Sequence, residues 1–480
     1  MSSIRKQVAN GIVAGWLLVS ATVLLFPLSA KAQTGGYTEI RTKAELAAVR
    51  DDLDGRYRLM ADIVFTAQDF SESGDYYQFG RFWRPIGYDA DNAFTGEFDG
   101  NGFSVRGLQV NAKGSYAGLF GFSRGNISNL NVTDCTIKAS GYNYDMVYAG
   151  GVVGYNAGSI SSCRVNGTVE AISESMFNNT YAGGIAGLTE TGTIQNCHTA
   201  TTVRAYTTGH TSYHDFHGGG IVGCVKSGSV KACTSTGTVR ANYAGGVVGL
   251  LQNGTVESCW NAGALALDGY SEIYAGGVIG RLFGGTVRDC YNSGAVRAEA
   301  SNTVYVGGVV GHRSGGTLGA CYNIGEVKAQ AKASTNTCLV GGVVGEGDGS
   351  GCYYLSLADY DNRSGKACAN AAMKTQASFQ DFDFTNVWTM GGSATYPYPE
   401  LRAAPMTAAF NGPTVGKTSV GATTTTEPDA PTYTISPTTT TATDETPDLK
   451  ADTVPWWVLI PMGAVLLVIV VIIILLLRQR

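Results

Sequence analysis

Charged side chains and histidines are scarce in this chain. Asp, Glu, Lys and Arg make up 15 % of its 480 residues, the formal net charge is −5, and there are 5 His. A chain with this charge lacks the cationic surface that phosphates need, so we expect no nucleic-acid partner. The sequence contains no HExxH and no Cys-x-x-Cys pair. These absences exclude the zinc-peptidase helix and zinc sites of paired cysteines.

Helical periodicity is also missing from 116–351, where no 11-residue stretch keeps a 3.6-residue apolar period. What is present instead is glycine, 65 residues in all, and a repeated segment of the type YAGGVVG. Its copies begin at intervals of 26 to 36 residues, which indicates a solenoid, a propeller or another repeat array. The eight copies begin at Tyr116, Tyr148, Tyr181, His217, Tyr243, Tyr274, Tyr305 and Leu339.

Each unit has a second part, a Gly-Thr-Val-x-x-Cys segment such as 254–259, and most have a third short run such as 237–239. Short β-branched runs separated by glycine indicate strands, because Gly permits tight corners between them. One unit cannot bury its own apolar face. Stacked units can, through parallel strands about 4.8 Å apart.

The sequence therefore predicts an all-β fold, a right-handed parallel β-helix of about eight repeats. A propeller with three-stranded blades is the alternative. Polar insertions at 170–180 and 204–216 are expected to form loops on one face of the solenoid. The β-helix predicts one buried column of equivalent residues, formed by Val152, Ile185, Ile221, Val247, Val278, Val309 and Val343.

The YAGGVVG and GxVxxC pattern resembles the GLUG motif of bacterial surface proteins. The resemblance extends to the flanking segments 57–63, 83–87, 94–102, 383–388 and 396–401. Similar repeats occur in non-catalytic regions of IgA-specific metalloendopeptidases, and without HExxH the catalytic part of that likeness does not carry over. The resemblance implies a surface or adhesin-like role.

Flanking segments are expected to cap the solenoid, because its open ends would expose unpaired strand edges. Residues 44–53 predict a short helix over the first rung. Residues 373–401 are expected to cover the last rung with Phe379, Phe382, Phe384 and Trp388.

Both ends of the chain carry membrane-related signals. Arg5, Lys6, the apolar stretch 12–28 and the Ala-x-Ala site at 30–32 predict a cleaved secretory signal, with an uncleaved anchor as the alternative. Residues 454–477 carry no charge and are followed by two arginines, which predicts one transmembrane helix with the N-terminal region outside.

These signals divide the chain into seven predicted segments. They are a signal peptide (1–32), an N-terminal capping region (33–115), the repeat solenoid (116–351), a C-terminal capping region (352–404), a disordered Thr- and Pro-rich stalk (405–453), the transmembrane helix (454–477) and a cytoplasmic tail (478–480).

Cysteines recur at matched positions in seven units. We interpret them as a ladder of buried thiols, with disulfides as the alternative. Val256 and Cys259 are three residues apart, so either a bend separates them or the cysteines face outward. The ladder would contain Cys163, Cys197, Cys233, Cys259, Cys290, Cys321 and Cys352.

Two further sets of residues allow a functional and a structural interpretation. His210, His214 and His217 could bind zinc or copper, but we favour a polar loop that happens to be rich in histidine. The recurring tyrosines could stack sugars, but we favour a packing column. That column would contain Tyr116, Tyr148, Tyr181, Tyr243, Tyr274 and Tyr305.

Charged residues vary from copy to copy, as Lys231, Glu257 and Arg288 do, and we interpret them as solvated. An enzymatic site could still lie at 60–100, which contains Asp62, Arg81, Arg84 and Asp99. Because no acid pair recurs in the units, we predict a non-enzyme with no catalytic, cofactor or metal site and no cofactor.

The combined prediction is a single-pass protein of the cell membrane that displays a β-solenoid on a stalk. We expect an adhesin-like or interaction role, with the membrane and a host glycan or an extracellular protein as partners. The alternatives are a surface carbohydrate-active enzyme on a β-helix scaffold and a structural spacer of the envelope.

Overall fold

Stacked parallel strands make up almost all of the computed structural model. It describes residues 33–404, except for gaps at 35, 78–79, 115, 142–145, 175–178, 209–214, 333–336, 358–359, 361–363 and 393–395. The predicted signal peptide, stalk, transmembrane helix and tail lie outside the described residues. Within them, no helix is long and apolar enough to cross a membrane.

Three long sheets run along the stack, and each of the first seven repeats contributes strands to all three. Sheet one contains Gln33–Thr34, Tyr37–Ile40, Arg56–Leu59, Glu97–Asp99, Asn126–Ser128, Ser159–Ser161, Thr193–Gln195, Ser229–Lys231, Thr255–Glu257, Thr286–Arg288 and Thr317–Gly319. Sheet three contains Phe120–Ser123, Val153–Asn156, Ala186–Thr189, Val222–Val225, Val248–Leu251, Ile279–Leu282, Val310–Arg313 and Val344–Glu346.

Sheet two is the widest and takes up the rest of each repeat. Its strands are Ile63–Val64, Ser104–Arg106, Gln109–Lys113, Tyr116–Ala117, Asn131–Gly141, Val147–Gly150, Arg164–Ser173, Thr180–Gly183, His198–Thr207, Phe216–Gly219, Thr234–Ser235, Thr238–Arg240, Tyr243–Gly245, Trp260–Asn261, Leu265–Gly276, Tyr291–Asn292, Val296–Gly307, Tyr322–Asn323, Val327–Ala331, Cys338–Gly341, Tyr353–Leu355 and Lys366–Cys368. Strands such as Arg164–Ser173 continue into the insertions that the sequence predicted as loops.

Equivalent residues of successive units pair directly with one another. Thr255, Thr286 and Thr317 are partners in register, and all three strands run parallel. Parallel pairing between units is the hydrogen-bonding pattern of a solenoid, so the chain is a parallel β-solenoid and the propeller alternative is wrong. Sheet three has one strand for each of the eight units. The right-handed sense of the β-helix stays a prediction.

The predicted apolar column is confirmed. Its seven residues are fully buried, and the backbone N–H of each of the first six donates to the carbonyl of its equivalent in the next unit, from Val152 to Val309. The spacing of 26 to 36 residues therefore measures one turn of the solenoid. Burial of this column across the stack supplies the common core that a single unit lacks.

A sharp corner precedes each ladder cysteine. Ser258 has φ 55°, and the residue before each of the other ladder cysteines is also left-handed, although it is glycine only before Cys352. This corner turns the chain between Val256 and Cys259, so both side chains point inward and both are fully buried. A bend therefore separates them, and the cysteines do not face outward. The other corner residues are Ser162, Asn196, Ala232, Asp289, Ala320 and Gly351, and Asn129 takes the same conformation before Leu130.

The N-terminal flank continues the stack with four further sheet-one strands before the first repeat. It also holds the expected short helix, Lys43–Ala48, which is followed by the 3-10 turn Val49–Asp51. Thr42 caps this helix by accepting a hydrogen bond from the Glu45 backbone, and the Glu45 carboxylate accepts one from Thr42 in return. A second 3-10 turn is Ala67–Phe70.

The C-terminal flank differs in part from its prediction. It contains the helix Asn370–Met373, the turn Gln376–Ser378 and an antiparallel pair of strands, Trp388–Met390 and Pro399–Leu401. We call the described residues of 370–404 the cover. As predicted, Phe379 and Phe382 pack near the end of the stack, on Tyr353, but the cover also extends along the side of sheet two, because outward-facing aromatic residues of four units lie there and would otherwise be exposed.

Candidate functional site

A groove of about 760 Å³ runs across the outer side of sheet two in the C-terminal repeats. Ala266, Ala298 and Ala329 line it, and their small side chains leave the space open. Charged and polar side chains of four neighbouring rungs line it as well, because the strand of Arg240 pairs with that of Ala266, Ala266 pairs with Arg297, and Arg297 pairs with Lys328. These side chains are Arg240, Asp268, Arg297, Glu299, Lys328 and Gln330.

Charges of both signs alternate along this groove. Arg240 contacts Asp268, Arg297 contacts Glu326, and the Lys328 ammonium lies 2.5 Å from Glu326. Asp268 and Glu299 are 65 % and 51 % exposed, so both carboxylates remain available to a ligand. The groove also has the apolar lining residues Leu267, Val327, Val340 and Tyr360, so it can offer a polar, extended molecule donors and acceptors in a row beside apolar surface.

The variable charges on sheet one are ordered rather than scattered. Lys231, Glu257 and Arg288 occupy one register position of three successive rungs. Glu257 lies 3.4 Å from Lys231 and 2.6 Å from Arg288, and both cations are about half exposed. Exposed pairs of this kind contribute little to stability, so the structure agrees with solvated charges rather than with a site.

The recurring tyrosines form a continuous stack on sheet two. Ring centroids of Tyr116 and Tyr148 are 5.3 Å apart at 7°, and those of Tyr243 and Tyr274 are 4.7 Å apart at 6°. Because neighbouring rings cover each other's faces, sugars cannot stack on those faces inside the column. The structure therefore favours the packing interpretation for most of the column.

His217 fills a tyrosine position in this stack. Its ring lies 4.9 Å from that of Tyr181 and 4.8 Å from that of Tyr243, and only 2 % of the residue is exposed. Burial lowers the pKa of His217 to about 3. His210 and His214 lie outside the described residues. In the described part of the chain, no three His, Cys, Asp or Glu residues are placed to hold a metal.

The cysteine ladder consists of unbonded, buried thiols. The S–H groups of six ladder cysteines donate to the backbone carbonyl two residues earlier, at 3.1 to 3.3 Å, which satisfies them without a disulfide. Burial raises the pKa of Cys197 and Cys233 well above the ordinary value. Neutral thiols are poor nucleophiles, so Cys197 and Cys233 act as packing residues.

The candidates at 60–100 do not converge. The Asp62 carboxylate accepts from the Ser104 backbone, and Asp99 pairs with Arg58 at 2.9 Å. The Arg84 guanidinium lies 4.9 Å from the Tyr88 ring. The carboxylates thus hold together neighbouring rungs of the flank rather than flanking a common space.

Sequence reasoning missed a second aromatic column, which lies under the cover. Trp260, Tyr291, Tyr322 and Tyr353 each directly follow a ladder cysteine and pair in register. The signal was present in the Cys-Tyr-Asn triplets of the last repeats. The residue after each aromatic is an inward-facing Asn in three units, and the amide of Asn292 donates to Asn323 at 2.8 Å.

A third set of side chains was also missed, at the outer row of sheet three. Successive rungs of this row carry Phe122, Tyr155, Leu188, Cys224 and Leu250, and then Arg281, His312 and Glu346. The row therefore changes from apolar to polar in the last three units. Beside the polar part, Tyr274 and Tyr305 are partly exposed, whereas Tyr148, Tyr181 and Tyr243 are buried.

This architecture defines a repeat protein built as a parallel β-solenoid. The family model of the GLUG motif matches residues 147–170 and 271–297. The chain thus carries GLUG repeats, as its sequence predicts. Each match starts on or just before a tyrosine strand and continues through one turn of the stack, so the motif corresponds to the corner and strands that bury the apolar column.

Similar proteins come from bacteria. A protein assigned as a Gly-rich membrane protein of Evansella cellulosilytica is 37 % identical over 107 residues, which is 21 % of this chain and 12 % of the relative's own length. A solved structure assigned as an immunoglobulin A1 protease of Bacteroides ovatus has a TM-score of 0.40 at 17 % identity and covers 77 % of this chain and 93 % of that one. Another, an IgA1 protease, has a TM-score of 0.37 at 12 % identity and covers 72 % and 24 %.

Proposed function

We propose that this chain is a non-catalytic, adhesin-like interaction protein that displays its solenoid outside the cell from a single-pass membrane anchor. The GLUG repeats and the name of the Evansella relative support a surface protein. The signal at 1–32, the stalk at 405–453 and the apolar segment at 454–477 support export and anchoring. The ligand we propose is an extracellular glycan.

The groove on sheet two carries this proposal. Its length follows the stacked rungs, spaced about 4.8 Å apart, so a linear polymer can lie along it and meet a similar set of groups at each rung. Arg297 and Lys328 offer donors, and Asp268 and Glu299 offer acceptors for hydroxyl groups. A glycan presents both kinds of partner along its whole length.

The state of the groove carboxylates favours binding over catalysis. Glycoside cleavage needs one acid that stays protonated near neutral pH, and burial is the usual means of holding it so. Asp268 and Glu299 are each more than half exposed, Asp268 contacts Arg240, and Glu299 lies 3.9 Å from Lys332. Neither carboxylate has the buried environment that an acid catalyst needs.

Cells that display the full chain test the proposal by adhesion to glycan arrays and to other cells. The double variant Arg297→Gln, Lys328→Gln removes two groove cations and should weaken adhesion. The matched control Arg106→Gln, Lys113→Gln removes two cations from the N-terminal flank and should leave adhesion unchanged. If the displayed chain adheres to no surface, it is better explained as a spacer, and if the groove variant adheres like the parent, the groove is not the binding site.

A further inference from the structure

We propose that Arg281, His312 and Glu346 form a second binding site, a notch that takes a sugar carrying a carboxylate. The inference rests on the proposed surface function, because such a sugar would be met outside the cell. The three side chains occupy one register position on three successive rungs of sheet three. The notch lies at the opposite end of the long sheet-two strands from the groove.

The cation at this site has no carboxylate partner. Among the described residues, Arg281 makes no ion pair, whereas Arg240 and Arg297 on the same repeats each contact an acid. Aromatic rings surround the Arg281 guanidinium instead, with the Tyr274 ring at 5.7 Å and the Tyr243 and Phe283 rings at 5.9 Å. An arginine held against rings and not neutralised is suited to a ligand carboxylate.

Two nitrogen atoms of the notch also lack hydrogen-bond partners within the described residues. They are Arg281 Nε and His312 Nδ1, on side chains that pair in register. His312 Nε2 lies 3.3 Å from Glu346 Oε2 and donates to it in the neutral ring, which leaves Nδ1 as an acceptor. Both atoms are buried, so the notch holds an unsatisfied donor beside an unsatisfied acceptor just beneath its surface.

Exposed aromatic surface completes the site. Phe283 is 58 % exposed and follows Arg281 by two residues, so both side chains point outward from the same strand end. Tyr305 is partly exposed, and its ring lies 5.3 Å from that of His312. Unlike the rings inside the tyrosine column, the Phe283 ring has a face open to a sugar. Ring faces next to polar groups are a common way to hold a pyranose, because its C–H face is apolar.

Arg281→Gln is the informative substitution, and Arg106→Gln is its matched control. Arg106 is exposed, and it lies in the N-terminal flank. Arg281→Leu is a second variant that should fold, since Leu250 occupies this position in the preceding rung. The purified full chain is titrated with methyl glucuronide, with methyl glucoside as the neutral sugar and acetate as the bare carboxylate, and binding is read by saturation-transfer NMR.

We expect the parent chain to bind methyl glucuronide at least about 10-fold more tightly than methyl glucoside or acetate. Both Arg281 variants should lose at least about 10-fold in affinity, and Arg106→Gln should lose none. The inference is overturned by any of three results. These are a parent chain that does not bind methyl glucuronide, acetate binding as tightly as the glucuronide, or Arg281→Gln binding the glucuronide like the parent. Adhesion of displayed cells is scored separately, so an adherent chain without glucuronide binding refutes the notch alone.

Discussion

Replacing Trp388 with alanine should release the cover from the solenoid. Trp388 is fully buried, and its ring centroid lies 6.1 Å from that of Tyr291, 5.8 Å from that of Tyr322 and 4.9 Å from that of Phe382. A buried aromatic of this size removes roughly 200 Å² from water, worth about 5 kcal/mol as an upper bound. Measured losses for such truncations are about 3–5 kcal/mol, and we expect that range here.

The hydrogen bond of Trp388 can be separated from its packing. The indole N–H donates to the Asp289 carboxylate at 3.0 Å, and burial raises the pKa of that carboxyl. Trp388→Phe keeps most of the ring contact and loses this bond, so it should cost about 1.5–3 kcal/mol. Tyr398→Phe serves as the control on the same segment, because it removes only an exposed bond to Asn370 and should cost less than about 1 kcal/mol.

Hydrogen exchange followed by mass spectrometry shows which segments lose stability in Trp388→Ala. In a stacked array each unit interacts mainly with its neighbours, so exchange should speed up in the cover and in Tyr291–Asn292 and Tyr322–Asn323, while the N-terminal repeats keep their protection. Equal loss of protection along the whole solenoid in Trp388→Ala, or unchanged protection of the cover, would refute this reasoning.

Three other substitutions test the interior of the stack. Gly277→Ala should cost about 2–3 kcal/mol in urea unfolding, because its Cβ would lie 2.2 Å from the Gly308 carbonyl; Gly319→Ala, with nothing within 4 Å, should be nearly neutral. Cys259→Ser should cost about 1–3 kcal/mol by burying a more polar group, and in the folded parent the ladder thiols should resist Ellman's reagent until the chain unfolds. His217→Tyr should make the stability of the fold depend less on pH under acidic conditions. In the parent, the unfolded chain binds a proton at His217 below about pH 6.5, whereas the folded chain binds it only near pH 3. The stability of the parent therefore falls over that interval as the pH drops. A His217→Tyr variant that loses stability with acid as steeply as the parent would contradict the burial of His217.

The stack itself could be predicted from the sequence because the residues that stabilise it recur in every unit. Each unit places Val or Ile one turn after its equivalent, and the pair of glycines before it recurs because corners of neighbouring rungs approach closely. At Gly277 an added Cβ would also lie 2.2 Å from the Asn292 side chain. Because the same contacts form once in every turn, the same residue types recur in the sequence at the length of one turn.

The corners and the notch could not be predicted in the same way. The residue before six of the seven ladder cysteines is Asn, Ser, Ala or Asp, and its left-handed conformation depends on where the flanking strands are held rather than on its own type. Arg281 and His312 depart from the repeat, so a pattern search treats them as variation. The function of these two residues depends on which rings and carboxylates lie beside them, and these neighbours are set by the register of the stacked rungs.

The cover depends on contacts between distant parts of the chain, and it decides where the chain leaves the solenoid. Trp260 donates to the carbonyl of Ala404 at 2.7 Å, and Trp260 lies three rungs before Tyr353 in the covered column. At about 4.8 Å per rung, the chain departs roughly 14 Å back from the end of that column. The cover thus joins aromatic residues of four successive rungs through contacts between distant parts of the chain, and such contacts leave no repeat in the sequence.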